Sequence, residues 1–526
     1  MDLAITAGVD LWHSPAGEPY ATLPADGHRE HHRLKSVAVR DWLARRYHAG
    51  TGGVPGGQAI SDAMAVLGGM ARFDGKPWVT AVRVGGGAEA VYLDLGGPTW
   101  KAVEITSAGW EVVADPPVRF VRSLGMLALP EPVRGGSIDE LRPLVHVANE
   151  DDFRLLVGWV LGALRPTGPY PMLSLVGEQG SGKSTVARVV RRLFDPHKAE
   201  LRAEPKSVDD IMVAAARSRV IALDNLSHVA PWLSDALCRI STGGALTKRE
   251  HYSNDDEVII EAIRPTILTS ITDVVTRGDL LDRGIAVTLP ELPEGARLPE
   301  RELWRRYHAA LPRVLGALLD AVVSGLAREQ IVQVDGLPRL ADWSLWVTAA
   351  EPAFGWPEQS ILAAFRAMRG TAEAAAIEGD PVAVALYGLT RPWESTAAEL
   401  LAQVSPPGRA PRGWPESPRA MSAAFRRLAP GFRRMGLVVT GRREARTGRR
   451  LLGLEDSPQS SSPSSPPSPD VARDAAARDD GDHGDDGLQI DSNRVTANPN
   501  GVPFHFDPKK AFLDGDTPAA EGQIRV

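Results

Sequence analysis

Cysteine is nearly absent. The 526 residues hold one, Cys238, so no disulfide can form within the chain, and a reducing cytoplasm is the expected setting. No run reaches the roughly 20 continuous apolar residues that a membrane helix needs, so no membrane partner is expected. The first residues, MDLAITAGVDLWHSP, lack the basic-then-apolar pattern of a secretory leader. No segment repeats at a fixed period, which excludes solenoids and repeat arrays. Cysteine and histidine show no zinc spacing; His28, His31 and His32 lie close together and read as surface charge.

A single prevailing sign of charge is also lacking. Lys and Arg number 59 against 66 Asp and Glu, a net charge of −7. The balance hides a division. Acid gathers near the C-terminal end, at Asp479, Asp480, Asp482, Asp485 and Asp486, whereas residues 409–450 are dense in arginine with few acids between. Distribution, not net charge, therefore bears on nucleic-acid binding.

The length calls for several pieces. Residues 1–26, punctuated by Gly and Pro, read as a flexible N-terminus. Residues 27–136 read as an α+β domain of unassigned role: helices over 34–47 and 58–72, then strands in WVTAVRV, AVYLDLGG, KAVEITSAGWEVV and PVRFVRS. From 137 to 295 the pattern changes to helices alternating with short apolar strands. Residues 152–165 and 182–194 read as helices, and MLSLV (172–176), VIALD (220–224) and TILTS (266–270) as buried strands. That rhythm predicts an α/β domain with a parallel sheet and helices on both faces. A helical region over 296–385 follows. Residues 386–455 read as helix, helix and basic β-ribbon, the plan of a winged helix, and 456–526 as a disordered Ser/Pro-rich, acidic tail.

The chemistry centres on GEQGSGKST, residues 177–185. It fits G-x-x-x-x-G-K-[ST] and lies between a predicted strand and a predicted helix, the context that a P-loop requires. Gly177, Gly180 and Gly182 let the backbone, with Glu178, Gln179 and Ser181, wrap phosphate oxygens; N–H groups at the helix start face the negative charge. Lys183 is expected to reach the β- and γ-phosphates of ATP, and the Ser184 hydroxyl, followed by Thr185, to bind Mg²⁺.

About 40 residues further on, the apolar strand RVIALDN ends at Asp224, a second candidate ligand for Mg²⁺. Asn225 follows; it orients water but takes no proton, so hydrolysis would be slow or rely on another acid such as Asp235. Thr269, ending TILTS, stands where a polar residue senses the γ-phosphate. Residues 249–260 read as a hairpin turning at Ser253–Asn254–Asp255, its first arm carrying Lys248, Arg249 and His251 toward a phosphate backbone, or else simply solvated. Arg283, in DLLDRGIAV, is a candidate arginine finger for a neighbouring subunit, with Arg277 as second choice and an ion pair with Asp279 or Asp282 as the structural alternative.

The order and spacing of GEQGSGKST, VIALDN, RISTGGALTKREHY, RPTILTS and DLLDRGIAVTLP resemble the ATPase module of superfamily III helicases, in particular the phage- and plasmid-type primase–helicase proteins of bacterial mobile elements. The resemblance covers about residues 140–290 and extends more weakly to the winged helix. It implies an AAA+-like fold, a homo-hexameric ring and movement on single-stranded DNA in a central channel. Lys183, Ser184 and Asp224 match the nucleotide motifs, Lys248 and Arg249 the hairpin motif, and Arg283 looks like the arginine finger. Two positions depart: the sensor, often Asn, is Thr269 or Ser270, and the second acid after Asp224 is Asn225. Residues 1–140 show no paired carboxylates of a primase site.

In the basic domain, Arg426, Arg427, Arg433 and Arg434 fall on a predicted helix and Arg442 and Arg443 on the ribbon. The planar guanidinium suits phosphate, so contact with duplex DNA is expected there, set against a chain-wide preference for Arg over Lys. The favoured reading is a DNA-dependent ATPase, a ring-forming replicative helicase of a mobile element. The alternatives are an ATP-gated DNA-binding switch without unwinding activity, a small-molecule phosphotransferase, and a non-enzymatic regulator.

Overall fold

The computed structural model describes residues 1–457 apart from 245, 250–256, 261, 273–279, 281, 296, 407, 412 and 446, and gives only the backbone of 246–249, 257–260, 373, 374, 376 and 434. The expected acidic tail lies outside the described residues from 458 onward.

The first 25 residues are not loose. After α1 (Asp2–Thr6), β1 (Asp10–His13) and β2 (Pro19–Ala25) pair antiparallel, and β3 (His28–Arg33) extends the sheet. Pro15 and Gly17 mark the turn between β1 and β2 rather than a loose segment. Trp12 is fully buried, stacks on Tyr20 at 4.5 Å between centroids and donates Nε1–H to Thr22 Oγ1 at 2.9 Å. Helices α2 (Val37–Thr51, capped by Ser36) and α3 (Gly57–Phe73) cover the sheet, and β4 (Lys76–Pro77) joins β1 in parallel. The histidine trio is not all surface. His31 points inward, 6 % exposed, within 2.8 Å of Thr22 Oγ1, and burial, helped by Arg119, pushes its pKa down to about 3. His28 and His32 stay on the other face of β3, each bonded to Glu30.

A pair β5 (Thr80–Ala81) and β10 (Arg119–Phe120) flanks an antiparallel sheet of β6 (Val84–Gly86), β7 (Ala90–Asp94), β8 (Ala102–Thr106) and β9 (Gly109–Val113), the strands read from alternation. The boundaries drawn at 136 and 295 do not separate cores. One apolar cluster runs from Val91, Leu93 and Ile105 through Leu156, Leu173 and Val287 to Leu318 and Phe365. Trp110 of β9 reaches across it to donate to Asp320 Oδ1 at 2.8 Å.

The central sheet is parallel, in the order β12 (Ile221–Leu226), β15 (Thr266–Ser270), β11 (Met172–Val176), β16 (Gly284–Thr288). Alternate residues serve opposite faces. Leu173 and Ile267 pack with α4 (Glu150–Ala163) and α5 (Lys183–Arg192); Met172 and Leu268 pack with α6 (Val208–Arg217) and α7 (Pro231–Thr242). Both faces being covered, the strands read as apolar runs without alternation. The arms β13 (Leu246–Arg249) and β14 (Glu257–Ile260) pair antiparallel; the turn expected at 253–255, and His251, lie outside the described residues.

Helices α8 (Glu300–Arg328), α9 (Ala341–Ala350) and α10 (Ser360–Glu378) follow. By length and composition α8 alone, among the described residues, could cross a membrane, but Leu315, Leu318, Leu319 and Val322 bury it in the core. Just after α9, Glu351 is fully buried, accepting from the Ile361 N–H at 2.6 Å and from Ser360 Oγ. Its Oε2 has no partner among the described residues, and burial pushes the carboxyl up to about 7. The folded state then holds this proton more tightly than the unfolded chain, so stability present below pH 4.5 is lost as pH rises through 7. Glu351→Gln stays neutral throughout. Melting curves should show it close to wild type at pH 4.5 and more stable, by on the order of 2 kcal/mol, at pH 8. An equal deficit at both pH values would refute this.

The C-terminal part comprises α11 (Pro381–Tyr387), β17 (Trp393–Thr396), α12 (Ala397–Val404), α13 (Pro418–Arg434), β18 (Leu437–Arg443) and β19 (Arg450–Asp456), with a three-stranded antiparallel sheet ordered β17-β19-β18. Thr396 and Glu399 form a capping box for α12, and Ser417 caps α13. Trp393, Leu400, Met421, Phe425, Phe432 and Leu454 make a separate small core.

Candidate functional site

The glycine-rich loop 177–182 joins the C-terminal end of β11 to the first residue of α5. Gly180 (φ +89°) and Gly182 (φ +86°) occupy the left-handed region, where a side chain would be strained. Gly177 is required for space: a Cβ there would stand 2.4 Å from the Leu289 carbonyl oxygen. Glu178, Gln179 and Gly180 are exposed, and Thr185 is half-buried in the first turn of α5. Ser181 is buried and its Oγ has no partner among the described residues. Lys183 folds back over the loop, Nζ donating to the carbonyls of Gly177 and Glu178, each at 2.7 Å. Burial lowers its pKa, against the Asp224 carboxylate, which raises it. Exposed backbone at a helix start, one ammonium and an unpartnered hydroxyl fit a phosphate group.

Three of the remaining predicted residues converge beside Lys183. The Ser184 hydroxyl donates to Asp224 Oδ1 at 2.9 Å, and the Thr269 hydroxyl donates to the same oxygen at 2.6 Å. The register of β12 against β15 shifts between Leu223 and Leu226, so Asp224 leaves the ladder and turns toward α5. Its N–H is held by the Arg202 carbonyl at 2.8 Å. Asn225 is exposed, has φ +57° and donates its N–H to Thr269 Oγ1 at 2.8 Å. A hydroxyl and a carboxylate oxygen beside a phosphate cradle are hard donors that fit Mg²⁺. Of the two sensor candidates it is Thr269 that contacts Asp224; Ser270 is buried, its Oγ without a partner among the described residues.

Arg283 is not brought to this cluster. It directly precedes β16, and its carbonyl accepts from the Met172 N–H, so it lies at the opposite end of the sheet from the loop after β11. Its Nη1 is 3.5 Å from Cys238 Sγ. Asp282, one of its two proposed ion partners, is bound by Arg369 at 2.5 Å; Asp279 and Arg277 lie outside the described residues. Lys248 and Arg249 sit on β13, away from Asp224 in sequence and in sheet.

The arginines of the C-terminal part divide into two sets that composition does not distinguish. Arg427 is bound to Asp380 at 2.8 Å, the residue that caps α11, and Arg442 forms a two-pronged pair with Glu394. By contrast, Arg426 and Arg433 of α13, Arg443 of β18 and Arg450 of β19 have no carboxylate partner among the described residues. Together with Arg442 they line a groove of about 500 Å³ between helix and ribbon, floored by Phe425 and Leu452. Arg450 ends the basic run of the expected wing, and the β18–β19 register sets it opposite Arg443. Of the Arg434 side chain nothing is described.

An α/β protein with a phosphate-type loop, a cation-type oxygen pair and a separate arginine-lined domain is the class that these features define. Residues 138–371 match the family model described as actinomycete integrative conjugative element replication protein, and residues 382–468 match the AICE RepA C-terminal domain. The two matched segments take in both the loop cluster and the arginine groove. No curated protein matches the chain. Among solved structures, an apo A form of the NrS-1 C-terminal region is 12 % identical, covering 87 % of this chain and 98 % of that one at TM-score 0.41. A second apo A form, spanning residues 305–718 of NrS-1, is 10 % identical, covering 86 % and 97 % at TM-score 0.39.

Proposed function

We propose that the chain binds ATP and Mg²⁺ and is a DNA-dependent ATPase, the ring-forming replicative DNA helicase of its mobile element. The observation that carries this reading is the convergence of Ser184, Asp224 and Thr269 beside Lys183 at the end of the glycine loop. Ser184 and Asp224 would hold Mg²⁺, which when bound neutralises phosphate charge. Lys183 turns from the loop carbonyls onto the β- and γ-phosphates, and Thr269 links the Asp224 carboxylate to the Asn225 backbone. The order and spacing of the sequence motifs, which resemble those of superfamily III helicases, support an AAA+-like module. In a homo-hexamer, Arg283, at the far end of the sheet, would act on a neighbour's nucleotide, and Lys248, Arg249 and His251 would line a channel for single-stranded DNA. The C-terminal part is read as a winged helix holding duplex DNA in its arginine groove.

A second reading, an ATP-gated DNA-binding switch without unwinding activity, is favoured by Asn225, which supplies no carboxylate next to Asp224. Steady-state ATP hydrolysis with and without single-stranded DNA, with Lys183→Ala as the inactive control, tests the first reading. DNA-stimulated turnover followed by strand displacement supports the helicase; ATP binding with turnover indifferent to DNA supports the switch.

For the groove, Arg433→Glu/Arg450→Glu should cut duplex binding by at least about tenfold and lower the slope of log affinity against log salt by about one per lost contact. Arg427→Ala should leave that slope unchanged, because its guanidinium is tied to Asp380. Equal effects of both variants would disprove this division.

A further inference from the structure

The segment between β16 and α8 is laid along the glycine loop. Its start is pinned to β11: the Leu289 N–H donates to the Val176 carbonyl at 2.7 Å, and the Leu289 carbonyl fills the space where a Cβ on Gly177 would stand. Leu292 Cδ1 lies 3.8 Å from the Cβ position of Gly182. The far end is tied to the helix that the loop opens, through Arg188 of α5 and Glu300 of α8 at 3.1 Å. Between the two anchors, Arg297 reaches the loop itself, Nη2 standing 3.0 Å and Cζ 3.9 Å from the Cβ position of Gly180.

Arg297 is exposed and has no carboxylate partner among the described residues. A guanidinium resting without an anion on a loop shaped for phosphate has no evident part in folding. Nor does Lys183 complete the charge there. A nucleoside triphosphate brings more negative charge than one ammonium and one divalent cation neutralise. The planar guanidinium donates two parallel hydrogen bonds to a phosphate group, which an ammonium cannot.

We infer that Arg297 is a second cation of the phosphate site, a nucleotide-binding residue supplied by the same subunit, whose side chain swings onto the phosphates when a nucleoside triphosphate binds. The inference rests on the nucleotide reading above. Because the segment is anchored at both ends, Arg297 reaches the site by side-chain rotation rather than by a large backbone movement. Gly180 is the point of approach, since a side chain there would occupy the space that the guanidinium takes.

The test is calorimetric titration of the full chain with ATP and with ADP, both with Mg²⁺, for wild type, Lys183→Ala, Arg297→Ala and Arg297→Lys. Arg297→Ala should weaken ATP binding roughly tenfold or more, as expected for loss of a charge-assisted contact, with a smaller loss for ADP and partial recovery in Arg297→Lys. Its melting temperature without nucleotide should equal wild type, since the residue is exposed and unpaired. Wild type that binds ATP while Arg297→Ala binds it equally well, with Lys183→Ala weakened, overturns this inference alone. Wild type that binds neither nucleotide overturns the nucleotide reading and the inference with it.

Discussion

Lys183→Ala is expected to lose ATP turnover by at least about a hundredfold and to lose the stabilisation that ATP confers. The geometry explains why the loss is functional rather than structural. The Nζ atom rests on two carbonyls at the loop's surface, and both can take water instead. Removing the ammonium should therefore cost about 1 kcal/mol or less without nucleotide. Occupancy makes the contrast measurable. At ATP a hundred times its dissociation constant, a binding-competent chain gains about 2.7 kcal/mol, several degrees in a thermal melt. Lys183→Ala should show almost none of that gain at the same concentration, with an unliganded melting temperature near wild type. A full ATP-induced rise in the variant would disprove the role assigned to Lys183.

The parts of this site that were legible in the sequence are those whose physics is local. GEQGSGKST announces itself because the glycines, the lysine and the flanking strand and helix all lie within a few turns of one another. The parallel sheet was legible for the same reason: MLSLV and TILTS are short, uncharged segments rich in Leu, Ile and Thr that alternate with helical stretches. What depends on distant partners was not. Nothing around Thr269 says that its hydroxyl meets Asp224, 45 residues away, rather than solvent. Arg427 and Arg433 look alike on one helix, yet only Arg427 has Asp380, 47 residues upstream, in reach. The order of the first 25 residues is hidden in the sequence because Pro15 and Gly17 belong to a tight turn between paired strands, Pro19 and Pro24 lie within β2, and β2 is buried on both faces, which removes the alternation that marks a half-exposed strand. Similarly, Glu30 stands between His28 and His32 in sequence, but only the alternation of β3 turns those three to one face and His31 to the other.

Arg83→Ala is expected to destabilise the protein by about 3–5 kcal/mol, the loss that follows from removing one partner of a buried ion pair. Arg83 is fully buried. Its Nε faces Asp195 Oδ1 at 3.5 Å, Nη1 donates to the Asp94 carbonyl at 2.9 Å and Nη2 to the Leu127 carbonyl at 2.6 Å. Asp195, itself 1 % exposed, also accepts from the Val220 N–H at 3.0 Å and faces Arg191 of α5 at 3.6 Å. Burial lowers the pKa of Arg83 and the Asp195 charge raises it, so the guanidinium is stable there only while its carboxylate stays. Truncation strands several buried oxygens and leaves a cavity the size of the side chain. The site also joins two parts of the chain, the antiparallel β6–β9 sheet and the end of the helix that starts at the glycine loop. Loss of Arg83 should therefore loosen the N-terminal strands from α5 before it unfolds the parallel sheet. Denaturant titration should show a lower first midpoint, and hydrogen exchange should rise in 84–113 ahead of 172–176. A single transition displaced by less than about 1 kcal/mol would mean that the buried pair stabilises the fold no more than an exposed one does.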